Sequence, residues 1–217
     1  MAITYHDIAQ SIANEGYFLS KKDIEINLDK WISGESNVLL ITGLSRSGKS
    51  TLAEEMTEKY KNIHNIELDR IENTWKWIDA AQYYFSKNFN PIKEFDPILI
   101  KFFESSPIGK FAYSQGMAMK NISDDDDELH KYMNEAIQWI LNYCKTLKSS
   151  EKVILEGVQI FYDLDIKVAR EYPIIIKGTS MTKSFIRRSS HGYKTLRNYL
   201  QSEKELEGFR NKIRNHD

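Results

Sequence analysis

The sequence predicts an α/β fold built on a mostly parallel sheet, and three observations carry that expectation. An apolar run, Asn37 to Thr42, leads into the glycine-rich segment GLSRSGKS at 43 to 50 and then into a helix-like stretch, Thr51 to Met56. A second apolar run follows at Ile63 to Leu68. Two more strand-like runs, Lys152 to Gly157 and Tyr172 to Lys177, come after a long helical interval. Strand, loop, helix, strand is how a parallel sheet begins, because parallel neighbours need a crossover connection.

Taken in order, residues 4 to 14 suit a short helix. Asp23 to Trp31 alternates Ile24, Ile26 and Leu28, which fits either a short strand or a helix leading into the first core strand. The helix after the glycine-rich loop runs to about Tyr60, and the second strand ends at Asp69-Arg70. From there to Glu151 the signals are helical. Trp77, Ile78, Ala81, Tyr84 and Phe85 recur at helical spacing. Asp96-Pro97 reads as a cap followed by a first-turn proline, opening a helix through Ile98, Leu99, Phe102 and Phe103. Ser123 to Lys148 holds Leu129, Met133, Ala136, Ile137, Ile140, Cys144 and Leu147 on one face and is the strongest helix of the chain.

A βαβ crossover needs far less chain than this interval contains, so residues 71–150 are expected to form a helical substrate-binding insert, part of it outside the sheet and bordering the active site. Residues 37–70 and 151–181 then make the core, with a short helix near Asp165 to Arg170. Residues 1–36 form an N-terminal extension. The polar, basic segment 182–217 is read as a helical lid and C-terminal helix.

The chain has 217 residues, 41% hydrophobic and 28% charged, with a formal net charge of -1. That balance is ordinary for a globular protein and argues against a broad nucleic-acid-binding face, leaving room for a local basic groove. The single cysteine, Cys144, can form neither an internal disulfide nor a cysteine-based metal site, and its place on an apolar helix face suggests burial. No apolar stretch approaches the roughly 18 residues that span a bilayer, and the N-terminus lacks a basic segment followed by an apolar one. A cytoplasmic location without membrane attachment is expected.

The chemistry centres on residues 43–50, a full match to G-x-x-x-x-G-K-[ST] in the strand, loop and helix context that the motif requires. Gly43 and Gly48 let the backbone adopt positive φ and approach a ligand, so that the N–H groups of Gly43, Leu44, Ser45, Arg46, Ser47, Gly48, Lys49, Ser50 and Thr51 can cradle phosphates. The loop feeds a helix N-terminus, which favours anions. Lys49 is expected to reach the β and γ phosphates, and Ser50 to place its hydroxyl on Mg²⁺.

Open α/β sheets bind ligands at the carboxyl ends of their strands, so the polar residues there deserve weight: Asp69-Arg70, Glu156 and Thr179-Ser180. Asp69 is the candidate general base toward a substrate hydroxyl, with a water-mediated Mg²⁺ contact or an acceptor hydrogen bond as its other roles. Arg70 can bind an anionic substrate group or pair with a nearby carboxylate. Glu156 closes an apolar run, and a charge in such a place needs a partner such as Mg²⁺. Arg187 and Arg188, beyond the fourth strand, can close on a triphosphate and offset charge on the transferred group, as an alternative to a solvated basic face. The Asp124 to Asp127 run is read as a helix start, not a metal loop. The five histidines lack zinc spacing. Trp75, Trp77, Tyr83, Tyr84 and Phe85 could stack a base, although an aromatic helix stripe more often belongs to a core.

Taken together in this order, the GLSRSGKS loop, Asp69-Arg70, the helical insert, Val153 to Gly157 and Phe185 to Arg188 resemble the P-loop kinases of the nucleoside and nucleotide kinase group, and most of all their uridine kinase branch. The resemblance spans roughly residues 37 to 200, and only the loop is specific by itself. It implies a three-layer, doubly wound sheet with a lid, and ATP with Mg²⁺ as phosphate donor. It also implies that Lys49, Asp69, Arg187 and Arg188 act in catalysis, with Ser50 and Glu156 at the metal. Members usually carry a fifth core strand after the lid, for which residues 189–217 give no signal. The expected activity is γ-phosphate transfer from a nucleoside triphosphate to a hydroxyl of a small acceptor, nucleoside-like or nucleotide-like. A nucleotide hydrolase without an acceptor, or a kinase of polynucleotide 5′-hydroxyls, are the alternatives. The acceptor's identity and the oligomeric state are not written in the sequence.

Overall fold

The computed structural model describes residues 21–44, 47–60, 62–76, 96–110, 127–178 and 196–214. The expected helices at 4 to 14 and around 77 to 85, the acidic residues 124 to 126, and the segment 179–195 with Thr179, Ser180, Arg187 and Arg188 lie outside the described residues.

Twelve elements are described. They are α1 (Lys21–Ser33), β1 (Val38–Gly43), α2 (Lys49–Lys59), β2 (Ile63–Glu67), α3 (Leu68–Lys76), α4 (Pro97–Ser105), α5 (Asp127–Cys144), β3 (Lys152–Glu156), α6 (Gln159–Tyr162), α7 (Ile166–Ala169), β4 (Ile174–Lys177) and α8 (Leu196–Arg214). The four strands form one all-parallel sheet in the order β2-β3-β1-β4. The chain is thus α/β, as the strand and helix alternation predicts.

Every residue of β1 is buried, and so is all of β3 beyond Lys152. A strand buried along its full length has both faces covered, which is why VLLITG and VILE read as continuous apolar runs without polar alternation. Helix α2 packs over β1, β2 and β3, α1 lies against β1 and β4, and α6 touches β1. The edge strand β2 is mostly half-buried.

Residues 23 to 31, which the sequence left open between strand and helix, are helical. Ile24, Leu28 and Trp31 are buried, while Ile26 is 45% exposed. That burial follows a period of 3.6 instead of 2. Trp31 Nε1 donates to the carbonyl of Asn37 at 3.2 Å and so fixes α1 to the start of β1.

Helix α4 begins as expected. Asp96 accepts from the Ile98 N–H at 2.8 Å, with Pro97 in the first turn. Its buried face, Ile98, Leu99, Phe102 and Phe103, packs against β2 and α5. Helix α5 buries Leu129, Met133, Ala136, Ile137, Ile140 and Cys144, as read from the sequence, together with Leu141, whereas Leu147 lies beyond its end and is partly buried. These parts of 71–150 therefore belong to the same apolar core as the sheet. Among the described residues no helix is long and apolar enough to cross a membrane.

Candidate phosphate-binding and metal site

The parallel sheet brings four chain segments to one edge. In register, Ile41 pairs with Glu156, Glu67 with Glu156, and Gly43 with Lys177. Across the carboxyl ends the order is therefore Asp69 after β2, Glu156 on β3, the glycine-rich loop after β1, and Lys177 on β4.

Two glycines shape the loop. Gly43 has φ +143°, and a Cβ built there would lie 2.0 Å from the Lys177 carbonyl oxygen. Gly48 has φ +87° and stands in the left-handed region as the N-cap of α2. Only glycine takes these positions without strain. Ser45 and Arg46 lie outside the described residues, so the flanks of the loop carry the geometry. Leu44 is buried, and Ser47 is 2% exposed with its hydroxyl lacking a hydrogen-bond partner among the described residues. A buried orphan hydroxyl at a helix start is a group that a ligand can satisfy.

Lys49, the first residue of α2, is 6% exposed, and its ammonium donates to the Leu44 carbonyl at 3.2 Å. The side chain thus folds back over the loop that it closes. Next to it, Ser50 Oγ donates to Glu156 Oε1 at 2.7 Å, across 106 residues of sequence. The two residues expected at the metal are therefore in contact. Thr51 follows in the first turn of α2, exposed.

Glu156 is 4% exposed, and burial pushes its carboxyl up to about 7. The Ser50 hydrogen bond and the Lys49 charge oppose that rise, while Asp69 and Glu67 add to it. A carboxyl poised near neutrality beside a hydroxyl and a lysine ammonium is one that an incoming cation can deprotonate. Among the described residues no group of three or more His, Cys, Asp or Glu side chains could hold a metal ion. A hydroxyl and one carboxylate suit Mg²⁺, which keeps waters and takes phosphate oxygens for the rest of its shell.

Asp69 and Arg70 do not end a strand. Strand β2 stops at Glu67, and both residues lie in the first turn of α3. The chain turns directly from extended to helical at Leu68, which is fully buried and anchors the turn. Asp69 Oδ1 accepts from Gln159 Nε2 at 2.8 Å, and the same amide donates to Glu72 Oε2. Arg70 Nε donates to Glu67 Oε2 at 3.0 Å, the carboxylate-pairing alternative of its two readings.

Two residues here escaped the sequence reading. Gln159, 3% exposed, ties Asp69 and Glu72 to the end of β3. No sequence signal marks it. Lys177, 6% exposed, closes β4 and donates from its ammonium to the Gly48 carbonyl at 2.9 Å. It was legible: IIIK ends an apolar strand in a charge, the same sign that singled out Glu156. Cys144 is buried and its thiol pushed up to about 12, mainly by burial. His64 and His130 each pair with an aspartate, Asp96 and Asp163, and not with each other.

No family model matches the chain, and no solved structure matches it. A lysine–tRNA ligase of Ureaplasma urealyticum serovar 10 is 27% identical over 180 residues, an alignment that covers 77% of this chain and 34% of the ligase. The chain thus spans about a third of the length of that curated relative.

Proposed function

We propose that the protein is an ATP-dependent phosphotransferase of the P-loop kinase type, with a three-layer nucleotide-binding core, that moves a γ-phosphate to a hydroxyl of a small acceptor. The observation that carries this reading is the 2.7 Å contact between Ser50 and Glu156 beside a left-handed Gly48 and a buried Lys49. A motif that matched by chance would have no reason to meet a buried carboxylate from another strand.

ATP supplies the transferable phosphoryl group, and Mg²⁺ the charge compensation that such transfer needs. The backbone N–H groups of the loop would orient the phosphates, and Lys49 would supply its ammonium to the β and γ oxygens. Ser50 and Glu156 would hold the cation. Asp69, held by Gln159, accepts the acceptor's hydroxyl proton as attack develops. Arg187 and Arg188 would offset negative charge on the transferred group.

The likeness to part of a lysine–tRNA ligase is compatible with an enzyme and says nothing of a hydroxyl acceptor; it makes tRNA a sensible member of an acceptor panel. The test uses purified protein, ATP and Mg²⁺ with nucleosides, nucleotide sugars, oligonucleotides and tRNA, and measures phosphorylated product. Labelled product with one acceptor class is expected. Release of free phosphate alone, unaffected by any acceptor, would replace the kinase reading with a hydrolase or nucleotide switch. Lys49→Ala should abolish measurable ATP binding in calorimetry. Asp69→Asn should keep ATP binding while transfer falls by about 10²-fold or more, the usual scale of general-base loss.

A further inference from the structure

We infer that Lys177 is a second phosphate-binding cation, assigned to the diphosphate that leaves with the nucleoside. The inference rests on the nucleotide-binding reading above and goes beyond it, since the loop motif contains a single lysine.

Lys177 brackets the loop. Its backbone pairs with Gly43, so closely that a Cβ on that glycine would strike the Lys177 carbonyl, while its side chain reaches the other glycine and hydrogen-bonds the Gly48 oxygen at 2.9 Å. Its Nζ would lie 3.0 Å from a Cβ placed on Gly48. The ammonium therefore sits at the N-cap of the eleven-residue helix α2. That end of a helix is its positive pole. A cation held there at 6% exposure, with the buried ammonium of Lys49 on the same loop, concentrates positive charge where an anion is the natural complement. The buried Ser47 hydroxyl in the same loop, which has no hydrogen-bond partner among the described residues, independently calls for a ligand.

Position decides which phosphates Lys177 serves. Asp69 and Glu156 lie on the β2 and β3 side of the loop, and Lys177 on the β4 side. In-line transfer carries the γ-phosphoryl group toward Asp69, so a cation on the opposite flank faces the part of the donor left behind. The Gly48 carbonyl holds the ammonium in place, and bound diphosphate would take over that hydrogen bond.

Calorimetry with Mg–ADP, Mg–ATP and adenosine on Lys177→Met, Lys177→Arg and Lys49→Ala tests this. Loss of one charge-assisted hydrogen bond should weaken ADP and ATP alike by about tenfold or more in Lys177→Met. Lys177→Arg should recover most of that affinity, and adenosine should be indifferent. If Lys177→Met binds ADP as the wild type does while Lys49→Ala has lost it, Lys177 is only a prop for the loop and the nucleotide reading survives. If Lys49→Ala also binds normally, that reading falls and the inference with it. Should Lys177→Met fail to fold, a crystal structure of wild type with Mg–ADP decides. Lys177 Nζ within hydrogen-bond reach of a phosphate oxygen is expected, and Nζ left on the Gly48 carbonyl, clear of phosphate, overturns the assignment.

Discussion

At the scale of single residues, the site is governed by what burial does to charge. Glu156 is nearly inaccessible, and its carboxyl, raised from 4.5 to about 7, prefers to keep its proton. A carboxyl whose folded value lies above its unfolded one stabilises the fold fully below pH 4.5, and that contribution is lost as pH rises through about 7. At pH 8 the metal-free protein therefore bears the cost of a buried anion. Glu156→Gln keeps an acceptor for Ser50 and removes that charge. Thermal or urea unfolding without metal at pH 8 should show the variant more stable, by about 3 kcal/mol at most, with the gap closing near pH 5. The same variant should lose the Mg²⁺-dependent part of its ATP affinity. A variant less stable at pH 8 would mean that Glu156 is stabilised by contacts that outweigh its burial.

Elements are joined by a few polar ties laid over apolar packing. The start of α4 is one: Asp96 caps the helix with one oxygen and meets His64 Nδ1 on β2 with the other, at 3.0 Å. Glu151 lies 3.8 Å from the opposite ring nitrogen. The Asp96 hydrogen bond, aided by both carboxylate charges, holds the His64 pKa above 6.5 in spite of partial burial. Because the folded value is raised, the ion pair stabilises fully below pH 6.5 and fades as pH climbs through the folded value. Asp96→Asn retains a good cap and loses the charge. Its melting temperature should fall furthest below wild type under pH 6.5 and converge with it at alkaline pH. Asp96→Ala should cost about 1 kcal/mol more at every pH, the worth of an N-cap.

For the molecule as a whole, the sheet order places the loop, Ser50 with Glu156, Asp69 and Lys177 on one edge, where the proposed nucleotide would lie. Binding to the folded state alone stabilises by mass action, about 2.7 kcal/mol at a hundred times Kd. For a chain of 217 residues each kcal/mol is worth roughly 2–4 °C. Saturating Mg–ATP should therefore raise the melting temperature by about 5–10 °C, and Lys49→Ala should abolish the shift. An unchanged melting temperature in wild type would count against a nucleotide site.

The sequence by itself determined the α/β class, the four strands, the cap of α4, the buried stripe of α5 and the loop, because each is written in local periodicity or in adjacent residues. It also singled out Ser50 and Glu156 separately. Only the tertiary structure decided that these two touch, that Arg70 is bound to Glu67, that Asp69 is held by Gln159, and that Lys177 spans the loop. The helix at 23 to 31 was ambiguous for a related reason: its pattern fits two periods, and packing against β1 and β4 chose between them. Pairings such as Ser50 with Glu156, 106 residues apart, depend on strand order and register, which follow from how apolar faces pack together and not from any short stretch of chain.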